Sequence, residues 1–244
     1  MVDVTNNVSI VAERQIPLSS TGRVPKSLEL LVARLNGLLA DAEDVDAPAE
    51  FEPVAALPLD ECVLGVVRHA GQANADPPLA VFDPARCSGV YLGADTRRGV
   101  GVLLGVLLAD ASGKDRSLLE AVADESGFDP ALLPAEMPLD VLPRVPPGWR
   151  LARTADGLGV LAPAGWFSPG QSFDDDADES SAADVPTVLA AAHSARSDGH
   201  TATALWLVRN AAVFAAPAAR PALAAVAAAC RDELARPARF PDPA

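Results

Sequence analysis

Three short apolar runs in the first half of the chain restrict its fold more than any other feature. The runs are residues 62–67, 79–82 and 90–92, and each is bounded by Gly, Pro, Asn or Asp. Apolar runs of this length between turn-forming residues are typical of β-strands. We therefore expect a sheet in this part of the chain, with a further short strand at residues 8–12.

Helical patterns flank the predicted strands on both sides. Residues 24–40 carry an apolar stripe at helical spacing, and residues 115–126 form a second helix with Gly127 at its C-terminal cap. Short links join three further helical stretches, which makes adjacent antiparallel helices the expected arrangement. These stretches are residues 185–196, 201–216 and 218–236. The sequence thus predicts an α+β fold, with short strands and helices first and a C-terminal unit of about three helices.

The segment GVGVLLGVLLADASGK, residues 99–114, resembles a phosphate-binding loop in composition only. A dinucleotide-binding glycine motif follows directly after a strand, whereas a polar turn precedes Gly99. A P-loop requires Ser or Thr after its Gly-Lys pair, and here Asp115 follows. The apolar spacing instead predicts a buried element, and both a helix and a strand fit residues 99–111. In a helix, Gly101 and Gly105 would form a notch that another backbone fills.

Two segments between the predicted helices have distinct turn chemistry. Residues 129–147 are rich in proline, and we expect an ordered covering loop with one helical turn after Pro130. Residues 149–163 predict a β-hairpin, because Asp156-Gly157 is the dipeptide that a two-residue type I′ turn favours.

The negative charge of the chain is concentrated in two tracts. The formal net charge is −14; residues 36–67 hold eight acids and residues 171–184 hold six, with no Lys or Arg in either tract. The first tract also contains Pro48 and Pro53, which predicts a solvated linker. Such a chain repels nucleic-acid phosphates, so we expect no nucleic-acid partner. The predicted division is a mixed α/β domain at 1–170, an acidic linker at 171–184 and a helical unit at 185–244.

Composition limits the compartment and the cofactors. The N-terminus has no signal-peptide pattern and no apolar run is long enough for a membrane span, so we expect a cytoplasmic chain without a membrane partner. Cys62, Cys87 and Cys230 fit neither a disulfide framework nor a metal knuckle. The three histidines do not form a metal-binding set with other ligands, and no cofactor is expected. The preference for arginine and alanine indicates a GC-rich bacterial genome.

No local motif for catalysis is complete in the sequence, which favours a non-enzymatic protein-interaction or regulatory protein of the adaptor type. Two other classes remain open: an enzyme whose site is assembled from scattered residues, and an acidic immunity-type protein or nucleic-acid mimic. The partner would be another protein or a second copy of the chain. We predict that Trp206, Arg209 and Phe214 bind this partner, because an aromatic pair near an arginine has the composition of an interaction hot spot.

Overall fold

The computed structural model describes residues 26–35, 47–57, 62–71, 76–137, 141–173 and 184–236. The fold is α+β, with a four-stranded antiparallel sheet, a separate β-hairpin and helices that are mostly C-terminal. The elements in chain order are α1 (Lys26–Arg34), β1 (Phe51–Ala56), β2 (Val63–Val67), β3 (Leu79–Asp83), β4 (Ser88–Tyr91), α2 (Thr96–Asp110), α3 (Gly113–Glu125), β5 (Trp149–Ala152), β6 (Val160–Pro163), α4 (Val185–Ser197), α5 (Thr201–Phe214) and α6 (Arg220–Leu234). Short 3-10 turns lie at Pro130–Leu132 and Ala164–Trp166.

The four strands pair in the order β1-β2-β3-β4. Apolar side chains lie on both faces of the sheet, because successive side chains of a strand point to opposite faces. On β2, Leu64 and Val66 join a core with helices α1, α2 and α3. Val63 and Val67 lie on the opposite face, in a second cluster that includes Leu158 of the β5–β6 loop. The central strands are therefore covered on both sides, which explains why each appears in the sequence as a continuous apolar run.

Strand β1 corrects the prediction that the first acidic tract is only a linker. Phe51 and Ala55 are buried and the strand pairs with β2. The pairing register shifts between Pro53 and Ala55, so the proline lies at an irregular point of an edge strand. Proline is tolerated there since no regular ladder hydrogen bond is lost. Phe51 and Ala55 belong to the clusters on opposite faces of the sheet, so the strand has no single apolar face, and its acids and proline concealed it in the sequence.

Helix α2 settles the alternatives for residues 99–111 in favour of a helix. The Asp95 side chain accepts a hydrogen bond from the Arg98 N–H at 2.8 Å and caps its first turn. The predicted glycine notch is also present and filled. A Cβ atom at Gly105 would overlap the carbonyl oxygen of Pro134, and one at Gly101 would lie 3.0 Å from the Phe128 ring. The proline-rich segment therefore packs directly on this helix.

The predicted hairpin is present, but the prediction of a two-residue turn is wrong. Ala152 pairs with Val160, so seven residues, 153–159, connect the strands. The Asp156 carboxylate accepts hydrogen bonds from the Thr154 hydroxyl and the Leu158 N–H. These bonds stabilise a wider loop in which Asp156 points inward, and an inward carboxylate is incompatible with an exposed Asp-Gly turn.

The three predicted C-terminal helices are confirmed, and α5 packs against both α4 and α6. Their core continues into the hairpin, since Ala152, Val160 and Ala162 belong to the same apolar cluster as residues of the helices. The predicted strand at 8–12, the part of the 24–40 helix that follows residue 35, and residues 174–183 of the second acidic tract lie outside the described residues. The division into domains stays a prediction.

Candidate functional site

The three residues predicted to bind a partner all lie on helix α5, but they have different surroundings. Trp206 is partly buried, and its indole N–H donates to the Arg153 carbonyl oxygen at 2.5 Å. Its ring meets the Phe173 ring edge-on, with centroids 5.2 Å apart. Trp206 therefore makes a contact within the chain, between helix α5 and the hairpin region.

Arg209 lies at the centre of a buried ion-pair network, with only 5% of its surface exposed. Its guanidinium donates two hydrogen bonds to the Asp156 carboxylate at 2.7 and 2.9 Å, and one to the Gly159 carbonyl oxygen at 2.6 Å. One oxygen of the buried Glu50 carboxylate lies 3.6 Å from the Arg209 guanidinium, and the other lies 3.9 Å from the guanidinium of Arg231 on α6. Arg209 thus joins three separate segments of the chain and is not part of the exposed surface.

Electrostatics keep the network charged and its neighbours neutral. Burial works against the charge of Arg209, but Asp156 and Glu50 outweigh it and raise the pKa of the guanidinium. Burial and the nearby Arg209 lower the pKa of His69 to about 3. Burial raises the pKa of Tyr91 above its usual value. At neutral pH the histidine is therefore uncharged and the tyrosine is protonated.

The neutral pair has an internal structural role. The Tyr91 hydroxyl donates to the Leu158 carbonyl oxygen at 2.5 Å, and the Nε2 atom of His69 lies 3.1 Å from the same hydroxyl. A hydroxyl that donates to a carbonyl can accept from a ring N–H, which assigns the proton of His69 to Nε2. A general acid or base works best with a pKa near the operating pH, and neither group in this pair meets that condition.

A groove of about 150 Å³ lies beside the network, between helices α5 and α6 and residues 47–50. Glu50, Asp156 and Arg209 lie along it, and most of the remaining wall is apolar. Cys87, at the end of the β3–β4 loop, has a left-handed backbone with φ of 49° and lines the same groove. The groove brings Glu50, Asp156 and Arg209 together, a combination that the sequence patterns did not predict. They come from segments far apart in sequence, so no local motif could have found them.

Phe214, the third predicted residue, has 43% of its surface exposed at the end of α5. It is one of seven large apolar side chains that are exposed in the described part of the chain, and four of the seven fall within residues 132–145. These four, which we call the proline-rich surface, are Leu132, Met137, Leu142 and Val145. Leu132 is the most accessible, with 80% of its surface exposed.

Leu142 of the proline-rich surface also lines a cavity at strand β4, an edge strand of the sheet. This β4 cavity has a volume of about 180 Å³. Its apolar walls come from Val90 of β4, from Leu142 of the proline-rich surface, and from Leu151 and Leu158 of the hairpin region. Arg153 lines the same cavity and is exposed to solvent. The cavity can hold a small apolar group beside a positive charge.

Within the described ranges, no group of three or more His, Cys, Asp or Glu side chains is arranged to hold a metal ion. No helix among the described residues combines the length and apolar character needed to cross a bilayer. Neither protein-family models nor curated protein sequences match this chain. Partner binding by Trp206, Arg209 and Phe214 stays a prediction.

Proposed function

We propose that this chain is a non-enzymatic interaction protein of the adaptor type, and that the proline-rich surface is its contact with another protein. The observation that carries the proposal is the concentration of exposed large apolar side chains in residues 132–145. Exposed apolar side chains concentrated in one segment favour a protein contact, because leaving them in water has a free-energy cost that a partner removes.

The packing of the start of this segment on helix α2 supports the same proposal. Leu133 and Pro134 pack on Gly105 of α2, and Phe128 packs on Gly101. The Arg97 guanidinium lies 5.0 Å from the centre of the Phe128 ring. Leu132, which lies between these packed residues in the sequence, is therefore presented with little loss of conformational freedom on binding.

The chemistry of the buried network favours a non-enzyme over an enzyme assembled from scattered residues. Asp156 and Arg209 hold each other in a two-point ion pair, and His69 is held neutral by burial. A network of this kind supports the fold and leaves no poised proton donor at neutral pH.

The test is affinity purification from the native host, with the wild-type chain and a variant in which the proline-rich surface is replaced. The variant carries Leu132→Ser, Met137→Ser, Leu142→Ser and Val145→Ser. The matched control carries Ala131→Ser and Ala135→Ser, which change exposed alanines of the same segment. We expect one specific protein to co-purify with the wild type and the control and to be lost with the variant. Retention of that protein by the variant would refute the proposal.

A Phe214→Ser variant separates the two candidate surfaces of the chain. If the proline-rich surface is the contact, this change leaves the captured protein in place. Loss of the protein with Phe214→Ser alone would move the contact to helix α5.

A further inference from the structure

The β4 cavity defines the chemistry of one part of the partner. We infer that it receives a single large apolar side chain from an acidic protein segment, and that Arg153 attracts the acids beside that side chain. This inference rests on the proposed function, because it names what the proline-rich surface binds at Leu142.

The size of the cavity selects a side chain over a complete small molecule. Pockets for drug-sized ligands have volumes of about 300–1,000 Å³, whereas an apolar cavity of about 150 Å³ binds benzene. The β4 cavity, at about 180 Å³, is close to the smaller figure. It therefore has room for one ring or one branched aliphatic side chain.

The walls of the cavity are apolar and partly open. Val90 has 40% and Leu142 has 47% of its surface exposed, and they line the same cavity. Leu158, which also lines the cavity, is fully buried. An inserted apolar side chain would remove Val90 and Leu142 from water, which is the arrangement of a hot-spot anchor in its pocket.

Among the described residues that line the cavity, Arg153 is the only charged one, and its charge is opposite to the formal net charge of the chain, −14. Its side chain forms no ion pair with another residue of the described part of the chain. The nearby Arg150 lies over the Phe173 ring, with its guanidinium carbon 4.7 Å from the ring centre. Charge complementarity therefore selects acidic residues next to the anchor.

The backbone of β4 indicates that the anchor enters as a side chain and does not extend the sheet. The Gly89 N–H, on the outer edge of β4, already donates to the Asp156 carbonyl oxygen at 2.7 Å. A Cβ atom on Gly157 would overlap the Gly89 carbonyl oxygen, so the hairpin loop lies directly against this edge. A partner strand would have to displace that loop, whereas a side chain has only to enter the cavity.

The test uses fluorescence anisotropy with the full chain and a short labelled peptide of Asp and Glu residues that has one central Phe. Two comparison peptides replace the Phe by Ser or all the acids by Lys. We expect the acidic Phe peptide to bind, and both comparison peptides to bind at least about tenfold more weakly, a factor that corresponds to about 1.4 kcal/mol.

Variants connect the binding to the cavity. Arg153→Glu and Leu142→Ser change exposed residues, so both should fold, and each is expected to weaken peptide binding about tenfold. Arg98→Glu, an equal charge reversal on helix α2, and Leu118→Ser, an exposed residue of helix α3 outside the cavity and outside the proline-rich surface, are the matched controls and should leave the affinity unchanged.

Three outcomes overturn the inference. They are no binding of the acidic Phe peptide, equal affinity in Arg153→Glu and Arg98→Glu, and equal affinity for the Phe and Ser peptides. Sedimentation of the chain alone tests another occupant: self-association that Leu142→Ser abolishes would assign the cavity to a second copy. If the host protein is still captured through the proline-rich surface while the peptide fails to bind, the proposed function stands and only this inference fails.

Discussion

Gly105 of helix α2 lies against the backbone of the proline-rich segment, and replacing it by alanine should destabilise the protein. In an open helix this substitution stabilises by about 1 kcal/mol, because glycine is a poor helix former. Here the new Cβ atom would overlap the Pro134 carbonyl oxygen, and it would lie 3.0 Å from the Leu133 Cβ atom. Backbone cannot move aside as a flexible side chain can, so the overpacking cost of about 1–3 kcal/mol outweighs the helix gain.

The expected net loss in the free energy of unfolding is about 1 kcal/mol, since a cost of about 2 kcal/mol opposes a gain of about 1 kcal/mol. For a chain of this size, a loss of about 1 kcal/mol lowers the melting temperature by about 2–4 °C. Gly105→Leu should lower it further. Circular dichroism melts at a fixed protein concentration measure both changes.

Two other glycines serve as controls. At Gly101 the nearest atom to a new Cβ is a carbon of the Phe128 ring, which can shift, so Gly101→Ala should melt close to the wild type. At Gly165 no atom lies within 4 Å, and Gly165→Ala should have no packing cost. A Gly105→Ala variant that melts at or above the wild-type temperature would show that the proline-rich segment does not pack in the notch.

The remaining predictions concern the buried network and helix α5. Arg209→Met should lower the free energy of unfolding by about 3–5 kcal/mol in urea titrations, because it leaves the Asp156 carboxylate buried without its partner. Adding Asp156→Leu should restore part of that loss. If the losses of the two single variants simply add in the double variant, the ion pair is contradicted. The pKa of His69 is lowered to about 3 in the folded chain, so below pH 6.5 the unfolded chain binds a proton on this imidazole while the folded chain does not. The free energy of unfolding should therefore fall as the pH falls from 6.5 towards 3. His69→Gln should reduce this pH dependence, and an unchanged dependence of the free energy of unfolding on pH would refute the lowered pKa. Trp206→Phe should cost about 1 kcal/mol through the lost hydrogen bond, whereas Phe214→Ser should change stability by less than about 0.5 kcal/mol, and thermal melts that rank them in the opposite order would contradict their placement.

Most of the regular elements could be predicted from local patterns, because their apolar residues recur at a clear period. The helices at the C-terminus and strands β2, β3 and β4 follow from such spacing. The covering role of the proline-rich segment could also be predicted, since two interior glycines in α2 required something to fill their notch. Strand β1 could not, because acids and a proline interrupt it and a register shift places its two buried residues, Phe51 and Ala55, on opposite faces of the sheet.

The buried network could not be predicted from sequence patterns, for a different reason. Arg209 was singled out for its aromatic neighbours, which suggested an exposed position, but its partner Asp156 lies 53 residues earlier in the chain. Asp156-Gly157 looks locally like a turn, and only the long-range ion pair reveals why the carboxylate points inward. The aromatic residues and the arginine of helix α5 indicated a contact, but the sequence has no feature that distinguishes an internal contact from an external one.

The ion pair between Arg209 and Asp156 also has a consequence for how the chain is made. A ribosome delivers Glu50 and Asp156 well before helix α5, so two carboxylates that become buried must wait for the guanidinium that neutralises them. Closing such distant contacts is slow compared with forming local helices and hairpins. The hairpin loop should therefore reach its final shape only after most of the chain has emerged, and a nascent chain halted before α5 should remain open to proteases at residues 153–159.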